Sequence, residues 1–237
     1  MRAWGVLPTI SAPMPFQMAL DEILFRAFVQ DPDAGGRLPA PVVERPLLRF
    51  YLSSESWVSF GYSHPSADLE REKRNACKRI TGGGRVEHGR DVIFSLLAVR
   101  GHEEAFKSVR VSYLKIHEAV KSALESFGLT PRFYRCDENL PKGRDCFLFP
   151  IATDLGLEGR KIAGGAQKRS RGALLHQESV KLPDGIGFEG LIQALGNAFE
   201  LVFETKLERH KLDPAWLEEA ETLALEKYGA PAGALTV

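Results

Sequence analysis

The sequence predicts a mixed α/β (α+β) fold. Its 237 residues suit one large domain and are enough to bury a core. Segments with helical spacing of apolar residues are separated by short apolar runs typical of strands. The 22 glycines and 14 prolines indicate many turns and a β-rich part. Together these features favour a single domain with a mixed β-sheet flanked by helices.

The N-terminal half contains one predicted helix and three predicted strands. Residues 15–30 have apolar side chains at helical spacing, on one face of an amphipathic helix. Residues 31–46 are rich in proline and glycine and predict a surface loop. Strands are predicted at residues 47–52 and 57–60. Residues 91–100 (DVIFSLLAVR) are nearly all apolar, which is typical of a strand buried on both faces.

The C-terminal half predicts three helices and a set of hairpins. A helix is expected over residues 103–127, because Gly128 can cap it and a proline follows at position 131. Residues 151–180 alternate short apolar stretches with glycine-containing turns, which predicts successive hairpins. A further helix is expected over residues 188–202. Asp213 and Pro214 form the N-cap and first position of the last helix.

Composition excludes several classes of protein. Lysine plus arginine and aspartate plus glutamate each number 31, so no overall field attracts nucleic acid or a membrane. An apolar content of 44% with 26% charged residues excludes wholesale disorder. The longest apolar runs are much shorter than the roughly 20 residues that span a bilayer. The chain shows no signal-peptide pattern, so we expect a cytoplasmic protein.

The cysteines give little support to a disulfide framework or a zinc site. There are three of them, an odd number, and none shares a CxxC spacing. Each is therefore either a small buried apolar residue or a reactive thiol. They are Cys77, Cys136 and Cys146. No metal site is predicted.

Two glycine-containing segments are locally basic. Residues 69–90 hold seven lysines and arginines against three acids, and residues 160–171 hold five and no acid. The simplest interpretation is a solvated surface. The triple glycine at 82–84, however, allows backbone N–H groups to approach a ligand closely. Its spacing fits neither a Walker loop nor a dinucleotide-binding loop.

Four motifs in order resemble one superfamily, the lipoate/octanoate–protein transferases and ligases, whose catalytic fold is shared with biotin–protein ligases. They are MALDE at 18–22, FGYSH at 60–64, RITGGGRVEH at 79–88 and GRKIAGGAQ at 159–167. The resemblance extends from about residue 16 to residue 203. It implies a single catalytic domain of the biotin/lipoate-protein-ligase type.

A further segment resembles one branch of this superfamily, the cysteine-dependent octanoyltransferases. That branch places its nucleophile in a Cys-Phe-x-x-Pro segment, fifteen residues before the motif lysine, and here CFLFP at 146–150 starts fifteen residues before Lys161. The resemblance implies that Cys146 is the catalytic nucleophile. It also implies that Lys161 is catalytic: it favours the thiolate and stabilises the oxyanion. Cys77 and Cys136 match no motif and are interpreted as structural.

The resemblance also implies a set of acyl- or substrate-binding residues. They are Arg79, Gly82, Gly83, Gly84, His88, Gly164, Gly165, Ala166 and His176. The remaining histidines, at positions 64, 102, 117 and 210, are interpreted as ordinary surface or capping residues. Three positions depart from the family pattern, and the last of them concerns the acyl pocket. Gly89 stands where the family commonly has Asp, Gly165 where it has Ser, and Gln177-Glu178 where it has a His-Gly or similar pair.

The implied activity is transfer of an octanoyl group from an acyl carrier protein to a lipoyl-domain lysine, without a cofactor. The acceptor would be the glycine cleavage H protein or a 2-oxoacid dehydrogenase E2. Such partners are typically acidic, so basic residues are expected to steer docking. They are Arg71, Lys73, Arg74, Lys168, Arg169 and Arg171.

Two alternatives remain open from the sequence. One is an ATP-dependent lipoate–protein ligase, which would use ATP and Mg²⁺ at the glycine loop. Ligases usually add a small C-terminal accessory domain or a separate chain, and the 34 residues after Phe203 are too few for one. Residues 1–237 are therefore expected to be one catalytic domain without that addition. The other alternative is a non-catalytic protein that binds lipoyl domains or acyl groups.

Overall fold

The structure is a computed structural model that describes residues 2–29, 44–134, 145–148 and 151–229. Strands β1 to β11 occupy Arg2–Ala12, Leu47–Ser53, Trp57–Phe60, Ala76–Lys78, Arg85–His88, Asp91–Val99, Arg132–Phe133, Leu155–Leu157, Arg160–Ser170, Ala173–Lys181 and Thr205–Arg209. Helices α1 to α5 occupy Met14–Val29, Ser66–Arg71, Val109–Glu125, Phe188–Phe203 and Pro214–Tyr228. A short 3₁₀ turn at Glu104–Lys107 precedes α3.

An eight-stranded mixed sheet has the order β11-β1-β2-β6-β10-β9-β8-β7. Strand β1 is parallel to both of its neighbours, and the remaining neighbours pair antiparallel. A separate three-stranded sheet, β4-β3-β5, carries the segments on either side of the glycine loop. The predicted mixed sheet is confirmed.

The large sheet separates two apolar layers. On one face, α1 and α5 pack with the small sheet and with side chains such as Tyr51, Ile93 and Leu175. On the other face, α3 and α4 pack against Phe50, Phe94 and other alternate residues of the same strands. Because successive strand residues point to opposite faces, β6 and β10 are buried on both sides.

Most predicted elements are present, including the two tight hairpins. Glu158-Gly159 and Arg171-Gly172 each place both turn residues at positive φ, between 44° and 86°, as a two-residue hairpin of matching twist requires. Asp213 caps α5 by accepting a hydrogen bond from the Ala215 N–H. The predicted helix over 103–127 is interrupted, because Ser108 is extended and caps α3. Residues 31–43 of the predicted surface loop lie outside the described residues, as does residue 30 at the end of the first predicted helix.

Five strands were not predicted: β1, β4, β5, β7 and β11. Strand β1 contains Pro8 and a register shift between Leu7 and Ile10, which breaks the alternation that would reveal a strand. Strand β11 (TKLER) is a polar edge strand without an apolar run.

Among the described residues, no helix combines the length and the apolar content needed to cross a membrane.

Candidate active site

A pocket of about 520 Å³ lies where the glycine loop (residues 82–84), the 145–148 turn and β9 meet. Cys146 and Lys161 both line it, together with Gly83 and Gly84. A narrow inner cavity of about 40 Å³ continues from it and includes Arg79 and His88. The predicted nucleophile, lysine and glycine loop are thus brought together.

Arg79 shapes the glycine loop. Its guanidinium is buried and donates to the carbonyls of Gly82 at 2.7 Å and Gly84 at 2.9 Å. Gly83, between them, has a φ of +86°, a backbone conformation that residues with a side chain rarely adopt. Because Arg79 holds the loop carbonyls on its own side, the Gly84 N–H is left to point at the pocket.

Cys146 receives that N–H. The Gly84 N–H donates to Cys146 Sγ at 2.8 Å, and the Cys146 N–H donates to the Arg85 carbonyl at 3.0 Å. Asp145 fixes the turn, because its Oδ1 accepts the N–H groups of Phe147 and Leu148. Burial lowers the pKa of the Arg79 guanidinium, and the neighbouring Cys146 thiol acts in the opposite direction. The sulfur therefore lies between a backbone donor and a buried cation.

His88 connects Arg79 to a buried carboxylate. Its Nδ1 lies 2.8 Å from Asp91 Oδ2, and its Nε2 lies 2.8 Å from Ser59 Oγ. Arg79 Nη1 donates to the same hydroxyl at 3.0 Å, so Ser59 links the guanidinium to the imidazole. Burial alone would raise the pKa of Asp91, but His88 holds it well below its usual range. Asp91, two residues after Gly89, thus supplies the carboxylate beside this histidine.

Lys161 is paired with an acid that the sequence did not indicate. Its Nζ donates to Asp154 Oδ2 at 2.6 Å, and its side chain is only 5% exposed. The same Nζ lies 5.3 Å from the centre of the Phe147 ring, next to Cys146 in the chain. Burial raises the pKa of Asp154, and the Lys161 ammonium opposes that rise. The lysine is held in place at the pocket wall.

Strand β9 forms one wall of the pocket. Gly164 lies under Lys161, since a Cβ added there would come within 2.1 Å of Lys161 Cε. Ala166 faces Gly83, whose added Cβ would lie 3.8 Å from the Ala166 Cβ. At Gly165 an added Cβ would lie 2.2 Å from Glu178 Oε2 and 2.6 Å from His176 Nε2. The two departures from the family pattern, Gly165 and Glu178, are therefore linked. The Glu178 carboxylate occupies the space that a side chain at position 165 would need.

His176 is not part of the Cys146 pocket. On β10, residues 176 and 178 face α3 and α4, whereas residues 177 and 179 face α1. The His176 ring stacks on that of Phe94, with centroids 6.1 Å apart, in the layer that α3 and α4 cover. His176 is therefore not brought together with Cys146, and its predicted role in acyl binding stays a prediction.

Gln177 takes the position on the pocket side of β10. Its Oε1 accepts the Thr81 hydroxyl at 2.6 Å, and its Nε2 donates to Asp21 Oδ2 at 2.7 Å. The Asp21 carboxylate also accepts hydrogen bonds from the side chains of Arg49, Tyr51 and Ser95. Gln177 therefore ties the start of the glycine loop to the MALDE segment of α1.

Two histidines interpreted from sequence as ordinary surface or capping residues are buried. His64 lines the pocket, bonds Asp68 at 3.1 Å and packs on Phe60. His117 is fully buried on α3 and contacts Glu178 at 3.0 Å. Of the segment CFLFP, Phe149 and Pro150 lie outside the described residues, as does Cys136.

Sequence reasoning missed the partners of the site residues. Asp145 follows a recognisable pattern, an aspartate whose side chain accepts the N–H groups two and three residues later. Asp154, Ser59 and Asp91 carry no comparable local signal.

The described residues contain one group that has the composition of a metal site. His117, His176 and Glu178 have ligand atoms within 4.8 Å of one another. All three are buried between α3 and β10, and Glu178 also lines the inner cavity that Cys146 and Lys161 line. The chemistry of the pocket itself, a thiol beside an N–H donor and a fixed ammonium, suits acyl transfer through a thioester.

Comparison with known proteins places these motifs in one family. Residues 13–182 match the lipoyl protein ligase A/B catalytic domain. The chain is 29% identical to octanoyltransferase LipM of Oceanobacillus iheyensis over 231 residues, which covers 94% of the chain and 77% of that protein. It is 31% identical to octanoyltransferase LipM of Geobacillus kaustophilus, covering 76% of the chain and 65% of that protein. It is 30% identical to octanoyltransferase LipM of Kyrpidia tusciae, covering 77% of the chain and 67% of that protein.

Solved structures agree on the fold. A putative lipoate protein ligase from T. acidophilum superposes with a TM-score of 0.72 at 20% identity, covering 97% of each chain. A lipoate-protein ligase A bound with ATP gives a TM-score of 0.71 at 19% identity, covering 98% of this chain and 97% of that one.

Proposed function

The chain belongs to the family of lipoyl protein ligase A/B catalytic domains and is an octanoyltransferase of lipoate biosynthesis; we propose that it transfers the octanoyl group through a thioester on Cys146. The observation that carries the proposal is the position of the Cys146 sulfur. It accepts the Gly84 N–H at 2.8 Å and shares its pocket with Lys161.

In the first half-reaction, the Cys146 sulfur attacks the carbonyl carbon of a thioester donor. The new carbon–sulfur bond forms, the bond to the carrier thiol breaks, and that thiol leaves with the proton. Negative charge develops on the carbonyl oxygen, where N–H donors of the glycine loop and the Lys161 ammonium can stabilise it. Exchange of one thioester for another needs no external activation, so ATP has no role in this step.

In the second half-reaction, the amine of an acceptor lysine attacks the octanoyl-Cys146 carbonyl. An amide bond forms, the bond between the carbonyl carbon and the Cys146 sulfur breaks, and the proton lost by the amine nitrogen ends on that sulfur, which restores the thiol. The acceptor is a lipoyl-domain protein. A solved structure from a study of a bi-partite lipoate protein ligase and its E2 lipoyl domain from Thermoplasma acidophilum matches this chain with a TM-score of 0.68 at 20% identity. An acyl carrier protein is the proposed donor, because its thioester carries the activation that a free acid lacks.

The test is intact-mass analysis after mixing the protein with octanoyl-carrier protein in the absence of ATP. We expect one octanoyl group on wild-type protein, sensitive to hydroxylamine, and none on Cys146→Ala. Cys77→Ala is the matched control and should be acylated like the wild type. Addition of a lipoyl domain should then move the mass increment to that domain.

A cross of donor type with ATP distinguishes the ligase alternative. Free octanoate should give no acylated lipoyl domain, with or without ATP and Mg²⁺. Acylation that requires free acid and ATP, and that persists in Cys146→Ala, would show that the chain is a ligase.

A further inference from the structure

A buried cluster of three titratable side chains lies between α3, which carries His117, and β10, which carries His176 and Glu178. His117 Nε2 and His176 Nε2 approach the same oxygen, Glu178 Oε2, at 3.0 Å and 2.8 Å. Each of the three side chains is less than 2% exposed. A buried carboxylate is costly unless it is paired and hydrogen-bonded, so the proton positions decide what this cluster is.

The proton on His176 is assigned by its neighbours. Arg169 Nε can only donate, and it donates to Gln167 Oε1 at 3.1 Å. The amide nitrogen of Gln167 therefore faces His176 Nδ1, at 3.1 Å, and donates to it. His176 Nδ1 is then an acceptor, which places the ring proton on Nε2, where it is donated to Glu178. His176 is neutral, and burial lowers its pKa.

His117 faces an acceptor at both ring nitrogens. Its Nδ1 lies 2.5 Å from the Thr153 carbonyl oxygen, and its Nε2 faces the Glu178 carboxylate. Neither partner has a proton to give, so His117 must donate twice and is an imidazolium. Burial alone would lower its pKa, but Glu178 raises it. Burial alone would raise the pKa of Glu178, but His117 and His176 bring it to about 2.

The Thr153 carbonyl connects this cluster to the active site. Thr153 has a φ of +84°, a conformation that a β-branched residue adopts only under constraint. The next residue is Asp154, whose Oδ2 accepts both the Ile151 N–H and the Lys161 ammonium. A hydrogen bond from His117 thus fixes the turn that presents Asp154 to Lys161.

We propose that His117 and Glu178 are positioning residues for acyl transfer: the imidazolium, held by the carboxylate, pins the Thr153 carbonyl so that Asp154 keeps Lys161 at the pocket. This inference rests on the proposed role of Lys161. The titratable groups facing His117 are Glu178 and His176 from β10, Asp154 from the turn, and Tyr113 from its own helix.

The expected signature is an alkaline loss of activity set by His117. Loss of the second proton removes one of its two hydrogen bonds, so kcat/KM should fall as the pH rises through the pKa of His117. The Glu178→Gln variant lacks the carboxylate whose negative charge raises the pKa of His117. The alkaline limb should therefore move to lower pH by about one unit or more, a tenfold or larger change in proton concentration.

The control variant is Glu118→Gln, which makes the same charge change on an exposed position of α3. It should leave the pH profile unchanged. Should Glu178→Gln fail to fold, His117→Gln replaces it. An amide has its N–H donors on one nitrogen, whereas His117 donates from two ring nitrogens that point in different directions, so kcat should fall and this alkaline limb should disappear.

Nitrogen-15 NMR of the histidine rings gives a readout that does not depend on turnover. At pH 7.5, His117 should be doubly protonated in the wild type and neutral in Glu178→Gln. A neutral His117 in the wild type, or identical pH profiles for wild type and Glu178→Gln, would overturn the proposal. So would one bound zinc per chain by elemental analysis, since a metal would replace the proton on His176 Nε2. These outcomes are separate from failure to form octanoyl-Cys146, which would contradict the proposed function instead.

Discussion

Cys77 and Cys146 are placed in contrasting environments. Cys77 is buried in the apolar layer beneath the small sheet, and burial raises the pKa of its thiol to about 12. Cys146 lies in the pocket, half-buried, with a backbone N–H directed at its sulfur. Since the thiolate is the reactive form, the two residues should differ in chemistry as much as in exposure.

The two thiols should therefore alkylate at different rates. At pH 8 the thiolate fraction of Cys77 is on the order of 10⁻⁴, given its pKa of about 12. We expect iodoacetamide to modify Cys146 in the folded protein while Cys77 stays unmodified, as measured by peptide mass mapping over time. Denatured protein serves as the control and should be labelled at both positions. Equal labelling of Cys77 and Cys146 in the folded state would contradict this assignment.

Among individual residues, the sequence predicted the reacting groups better than the residues that hold them in place. Cys146 and Lys161 stand in motifs with fixed spacing, so a single sequence reveals them. Asp154 becomes the partner of Lys161 only because β8 and β9 form a hairpin that returns the chain to the same place. His176 was assigned to the pocket because the motif includes it, but strand alternation turns it to the other face.

The pairing of β9 with β10 sets a steric condition on the sheet. Gly165 and Glu178 are cross-strand partners, and the carboxylate lies over the glycine. An alanine at position 165 would bring its Cβ within 2.2 Å of Glu178 Oε2. The side chain at 178 would have to leave His117 and His176, its two hydrogen-bond donors.

Gly165→Ala is therefore expected to lower the free energy of unfolding by about 1–3 kcal/mol, the usual cost of overpacking. In a Glu178→Ala background the same substitution should cost less, giving a coupling energy of about 1 kcal/mol. Denaturant unfolding of the two single variants and the double variant measures this. Gly101→Ala, where an added Cβ meets nothing within 4 Å, is the control. Additive costs would show that the carboxylate does not occupy that space.

Elements were predictable where one local rule determined them. The hairpins follow from glycine turns and the last helix from its Asp-Pro start. Strands β1 and β11 were missed because their pairing joins segments about 200 residues apart, Arg2 beside Thr205, and neither has strict alternation. The site depends on such distant pairings: the Ser59–His88–Asp91 chain and the Gln177–Thr81 bond both join separate elements.

Across the whole molecule, the basic residues expected to steer docking have different roles. Arg169 is used internally, donating to the Phe106 and Ser108 carbonyls and to Ser112. Arg74 is paired with Glu72 and Glu87. Arg71 and Lys73 are exposed beside the pocket rim. The net charge of zero means that any steering must come from such local groups.

A charge reversal tests that steering. We expect the Arg71→Glu/Lys73→Glu double variant to lower kcat/KM for an acidic carrier-protein donor severalfold at low ionic strength. The difference should shrink as salt is added, because the Debye length falls to about 8 Å near 0.15 M. Lys211→Glu, an exposed change beyond β11 at the other edge of the sheet, should have no such effect. A kcat/KM that does not depend on ionic strength in any variant would remove the steering hypothesis.

The alternation of side chains along β10 also bears on how this enzyme can diverge. Position 178 is bound sterically to 165 and by hydrogen bonding to 117, whereas position 177 is bound to 81 and 21 through the other face. The two adjacent residues thus depend on two separate sets of contacts. We therefore expect a substitution at position 178 to require changes on the α3 side, and one at position 177 to require changes around the glycine loop. Neighbours in the chain can therefore drift independently, while residues far apart in it must change together.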